Sequence, residues 1–116
     1  MPDAVVVVRD GPASERGWLG LRLALALGLG GHQVSVLLSG EGAGWAVPVD
    51  TRAWLGGDPG RDLAGLVDDA GARILADGAS LSAAGLGEAA RRAQIEVVSR
   101  DAVLAMLAAA TLVVPV

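Results

Sequence analysis

The chain has 116 residues, enough for a single domain, 1–116, with a core of its own. Its formal net charge of −4 argues against a nucleic-acid partner, which needs a basic face to displace counterions from phosphates. It contains no cysteine, which removes disulfides, thiolate metal sites and sulfur nucleophiles together.

Ala4 to Val8 is a short β-branched run of the kind covered on both faces of a sheet. Asp10, Gly11 and Pro12 break it. Ser14 then stands as a helix N-cap, with Glu15 in the first turn facing the positive end of the helix dipole. The helix that follows is apolar almost all round, and Arg22 is its one charged residue between Gly17 and Gly31. It should end at Gly28, Gly30 and Gly31 and turn back through His32 into a second strand, Gln33 to Leu38. A helix on a sheet buries one side only, so the other side of this one predicts a subunit contact, the alternative being cover by neighbouring alanine-rich helices within the monomer. With Arg22 in its middle it is also too short to span a bilayer, and no membrane association is expected. MPDAVVVV lacks the basic start of a secretory signal, so a cytoplasmic location is expected.

Ser39 to Gly42 reads as a turn into a short apolar segment holding Trp45. Pro48 to Arg61 is a long Gly- and Pro-rich stretch holding Trp54, which in a compact domain is a lid, a binding loop or an oligomer contact. Asp62 to Ala70 reads as a helix capped by Asp62, and Ala72 to Ala76 as a third strand. The glycine-containing turn at Asp77 opens a small-residue helix, and Gly87 to Ala93 reads as another. Ile95 to Val98 is a fourth strand, Asp101 to Ala110 a helix capped by Ser99, and Thr111 to Val114 a fifth strand. Pro115 beside that strand favours a sheet edge. The repeated strand–helix alternation predicts a three-layer α/β/α sandwich around a five-stranded, mainly parallel sheet.

In such a sheet a ligand crevice is expected where strands end and helices begin. Asp10, Gly11, Ser14, Glu41, Asp77, Gly78 and Ser80 are the residues that would line it. The loop from Arg9 to Ser14 is neither a dinucleotide fingerprint nor a phosphate loop, and the chain has no lysine to reach a phosphate. Asp10 and Asp77 would form a cation or acid–base pair only if they converge; otherwise both cap turns. His32 lies at the wrong end of the sheet for a Ser-His-Asp arrangement with Ser80 or Ser82. No catalytic residue, metal site or cofactor is assigned from these residues.

The order of these elements is similar to that of the DsrE/DsrF-like family. The resemblance is carried by GPASERGWLGLRLALALGLGGHQVSVLLSGEGAGWAV, ILADGASLSAAGL and IEVVSRDAVLAMLAAATLVVPV, which together span nearly the whole chain. It implies a five-stranded parallel sandwich, assembly as a trimer or hexamer or with DsrE-like partner subunits, and a connection to proteins that relay a persulfide between cysteines. Active members carry a cysteine just after the third strand, often followed by an Arg-Gly. Here those places hold Asp77-Gly78 and Ala84-Gly85. A carboxylate cannot carry a persulfide, so the relay chemistry is not expected to follow the fold.

Overall fold

A computed structural model of the chain describes residues 3–47, 59–88 and 94–116. Five strands, β1 (Asp3–Val8), β2 (Gln33–Leu38), β3 (Arg73–Asp77), β4 (Ile95–Val98) and β5 (Leu112–Pro115), form one sheet in the order β4-β3-β2-β1-β5, with every pairing parallel. Among the described residues four α-helices accompany them: α1 (Glu15–Leu29), α2 (Pro59–Asp68), α3 (Gly78–Ala83) and α4 (Arg100–Ala109).

The strand order explains the layers. From β1 to β4 the chain steps steadily one way across the sheet, and right-handed crossovers put the intervening helices on one face. From β4 it must return past the whole sheet to reach β5 beside β1, and the same handedness puts α4 on the opposite face. The core follows that division. On the first face Ala4, Val6, Val8, Val36, Leu38 and Ile74 meet Leu21 and Ala24 of α1, Leu63 and Leu66 of α2, and Leu81 of α3. On the second, Val5, Leu37 and Leu75 meet Val103 of α4, flanked by the partly buried Met106 and Leu107. The chain has no Phe or Tyr, and Trp45, with no exposed surface, supplies bulk to the first core.

The local signals act as expected at most ends. Ser14 caps α1 by accepting from the Arg16 amide, and Ser99 caps α4 by accepting from the Ala102 amide. α1 stops at Gly30, and Gly31 follows with φ of 102°, a conformation that favours glycine. Gly28 lies inside the helix, where it is pressed against Ala70. Pro115 is in an edge strand.

Three expectations change. α2 begins at Pro59, so Pro59 to Arg61 are its first turn and not the end of a loop; the ring of a proline is preset for that position. Asp62 is therefore inside the helix and not its cap. Its carboxylate instead accepts a 2.6 Å hydrogen bond from Trp18 Nε1, tying α2 to α1. Gly87 and Glu88 form a turn; residues 89–93 of the helix expected there lie outside the described residues, as do residues 48–58 with Trp54. Among the described residues no helix is long and apolar enough to cross a membrane.

Candidate functional site

At the end of the sheet where strands finish, the predicted site residues fall into two groups. The strand order decides this, because β2 separates β1 from β3 and so holds Asp10 and Asp77 about 10 Å apart at the usual strand spacing.

The first group surrounds the end of β1. Ser14 Oγ donates to Asp10 Oδ2 at 3.4 Å, and Arg16 approaches the same oxygen at 3.9 Å. The Asp10 carbonyl accepts from Trp45 Nε1 at 2.9 Å. Backbone packs on backbone here. A Cβ on Gly42 would overlap the Val8 carbonyl, and one on Gly17 would overlap the Asp10 carbonyl and crowd the Trp45 indole. Gly11 is held against the Glu41 carbonyl in the same way. The space between β1 and β2 is thus filled by the 3-10 segment Gly40–Ala46, and Glu41 stands exposed on its outside.

The second group surrounds the end of β3. Asp77 is 1% exposed. It caps α3, with Oδ1 accepting from the Ala79 amide at 3.3 Å. Its Oδ2 accepts from Ser80 Oγ at 2.8 Å and from Arg100 Nη2 at 2.8 Å. Ser80 Oγ in turn accepts from the Gly40 amide at 2.9 Å, which joins this cluster to the end of β2. Gly78, packed against Val97 and the Val98 carbonyl, lets the chain turn directly from strand to helix. Burial pushes the Asp77 carboxyl up. The hydrogen bonds from Ser80 and Arg100, the Arg100 charge and the Ala79 amide together outweigh it and hold the group below the ordinary carboxylate range. Asp77 is an ionised acceptor whose oxygens are already engaged.

Arg100 was not among the residues singled out from the sequence. Its position is a cost to α4, since a cation at a helix N-terminus opposes the dipole. The carboxylate of Asp77 is what holds it there. No local signal in the sequence marks it: Arg100 comes to Asp77 because Asp77 pairs with Val98, two residues before it.

In this cluster the Ser80 hydroxyl proton is directed at Asp77 Oδ2. Among the described residues no group of three or more His, Asp or Glu side chains could hold a metal ion. Of Asp77, Ser80 and Arg100, Arg100 is the residue with a largely accessible side chain, 60% of it exposed.

His32 lies at the other end of the sheet, as expected. There it helps line a cleft of about 570 Å³ with Asp3, Gln33, Ser35, Arg73 and Met106. Its Nδ1 is buried and has no hydrogen-bond partner among the described residues. Arg73, on that rim, is paired at 2.8 Å with Glu96.

A model described as the DsrE/DsrF-like family matches residues 3–115. Among solved structures, the crystal structure of the ychN protein from E. coli superposes with a TM-score of 0.88 at 17% sequence identity, covering 100% of each chain. A search of curated proteins found no match.

Proposed function

Since the chain belongs to the DsrE/DsrF-like family, we propose that it is a non-catalytic member, a structural or binding subunit of a homo- or hetero-oligomer related to the sulfur-relay proteins. One observation carries the reading: Asp77, which the resemblance sets where active members carry their cysteine, is a buried carboxylate bound by Ser80 and Arg100. With no cysteine anywhere in the chain, no other side chain can hold a persulfide. In this reading the chain is a single domain working in the cytoplasm as a trimer or hexamer, or alongside DsrE-like partner subunits, and the ion pair keeps the former nucleophile position closed.

The experiment is sulfur transfer. Labelled cysteine and a cysteine desulfurase should leave no covalent sulfane sulfur on the purified chain. Covalent label on it would overturn the proposal. Light scattering coupled to size exclusion tests the assembly, with a mass above that of one chain expected.

A second reading is favoured by the exposed part of Arg100: a small-molecule or anion binder using the strand-tip edge, with Asp77, Gly78 and Ser80 behind the guanidinium and Asp10, Gly11, Ser14 and Glu41 on the neighbouring tip. Thermal-shift screening against anions, nucleotides and metabolites separates the two. A stabilisation that Asp77→Ala abolishes supports binding, and none across the panel supports the structural subunit.

A further inference from the structure

The cleft where the strands begin gathers hydrogen-bond acceptors. Its volume of about 570 Å³ is that of a small-molecule site, and Val5, Met106 and Ala109 give it apolar wall. Asp3 and Arg73 bring opposite charges to its lining. Arg73 is already paired at 2.8 Å with Glu96, whereas the exposed Asp3 carboxylate has no ion-pair partner among the described residues. His32 adds Nδ1, buried without a partner among the described residues, a cost that a donor in the cleft would relieve.

The helices act in the same direction. α1, α2 and α4 all finish at this end of the sheet with no basic residue in the last turn, so three negative dipole ends converge on the cleft. The closing carbonyls of α1 accept from the Gly30, Gly31 and His32 amides. Those of α4 have no such cover. Ala110 leaves that helix extended, with ψ of 141°, and the Thr111 amide donates to the Asp3 carbonyl instead. Among the described residues no amide turns back onto the Leu107, Ala108 and Ala109 carbonyls. These groups meet around Asp3, which pairs with Gln33 beside His32 and is bonded to Thr111 beside the end of α4.

We infer that this cleft binds a small organic cation, an ammonium group on an apolar body. The ammonium supplies donors and a positive charge to the Asp3 carboxylate, the end of α4 and His32 Nδ1, and the body packs on Val5 and Met106. An anion would face the same carboxylate and the same carbonyls, with Arg73 already engaged. The site is at the opposite end of the sheet from Asp77 and holds whether or not the chain is a relay subunit.

Three compounds with one body and different heads separate charge from shape: phenethylammonium, phenethyl alcohol and phenylpropionate. Titrated into isotope-labelled protein and followed by NMR, phenethylammonium should shift the Gln33 and Ala110 amides with a millimolar Kd. The alcohol should bind more weakly, and phenylpropionate should shift neither amide. Asp3→Asn should weaken binding of the ammonium about three- to fivefold. Ala109→Lys sets the chain's own ammonium at the end of α4, and should abolish the shifts while raising Tm. Asp3 and Ala109 are exposed, so both variants keep the fold. Equal affinity for the three heads, or shifts centred on Asp77 and Ser80 in place of the cleft, would overturn the inference. So would an Asp3→Asn protein that binds as the wild type does, or the absence of any shift at millimolar phenethylammonium.

Discussion

Arg100 Nη2 lies 2.8 Å from Asp77 Oδ2, and the two ends of this ion pair live in different solvents: the carboxylate side chain is 1% exposed and the guanidinium side chain 60%. Removing either partner therefore has unequal consequences. Arg100→Ala leaves a buried charge with only Ser80 and the Ala79 amide to hold it, and should cost about 2–3 kcal/mol. Asp77→Asn leaves a cation that water can solvate, and should cost about 1 kcal/mol. The double variant should be no less stable than Arg100→Ala alone. Urea unfolding of the three proteins reads the comparison.

The pH dependence has a fixed sign. The folded state holds Asp77 below its ordinary value, so its contribution is present above the unfolded value of about 3.9 and is lost as pH falls through the folded one. The stability gap between the wild type and Asp77→Asn should be flat from about pH 7 to 5 and shrink below about pH 4. Denaturant titrations across that range check it; a gap that closes near neutrality would contradict it.

Placing a thiol in the same surroundings asks whether the site still suits the chemistry it lacks. In Asp77→Cys the Arg100 guanidinium and Ser80 hydroxyl would favour the thiolate, and the thiol should titrate below about 8.5. The pH dependence of the thiolate's ultraviolet absorbance measures this without a reagent having to reach the buried position. Adding Arg100→Ala should move the midpoint back up.

Gly42 has a backbone role. A methyl group there meets the Val8 carbonyl, which is part of the sheet and cannot move aside. Gly42→Ala should cost more than about 3 kcal/mol or prevent folding, by overpacking against main chain. Thermal unfolding monitored by circular dichroism provides the measurement.

The bond from Trp18 Nε1 to Asp62 connects α1 to α2 and survives in neither Trp18→Phe nor Asp62→Ala. Each should cost about 1.5–3 kcal/mol, the range for a hydrogen bond to a charged group. The double variant should cost less than the sum, since one bond is lost in both. Urea midpoints of the single and double variants test the coupling.

What could be read in the chain follows the range of each interaction. β2 and β4 have the bounds their apolar runs and flanking turn residues predict, and Ser14 and Ser99 cap the helices they precede, because these signals act over a few residues. Asp77 as a turn residue was legible for the same reason. Its pairing with Arg100 was not. It spans 23 positions and depends on β3 lying beside β4. Asp62 looked like a cap because Asp is common there; Pro59 displaced it, and Trp18, 44 positions away, gave its carboxylate another use. The separation of Asp10 from Asp77 follows from strand order, which no local pattern encodes.

The place of β5 bears on how the protein comes to be made. β1 pairs on one side with β2 and on the other with β5, where Ala4 meets Leu112. While a ribosome is still adding the residues between, one flank of β1 has no neighbour, and its run of valines is a template for any extended strand nearby. Completion of the pairing of β1 waits on Leu112–Pro115. Chaperone dependence during synthesis should therefore track how quickly that last strand arrives.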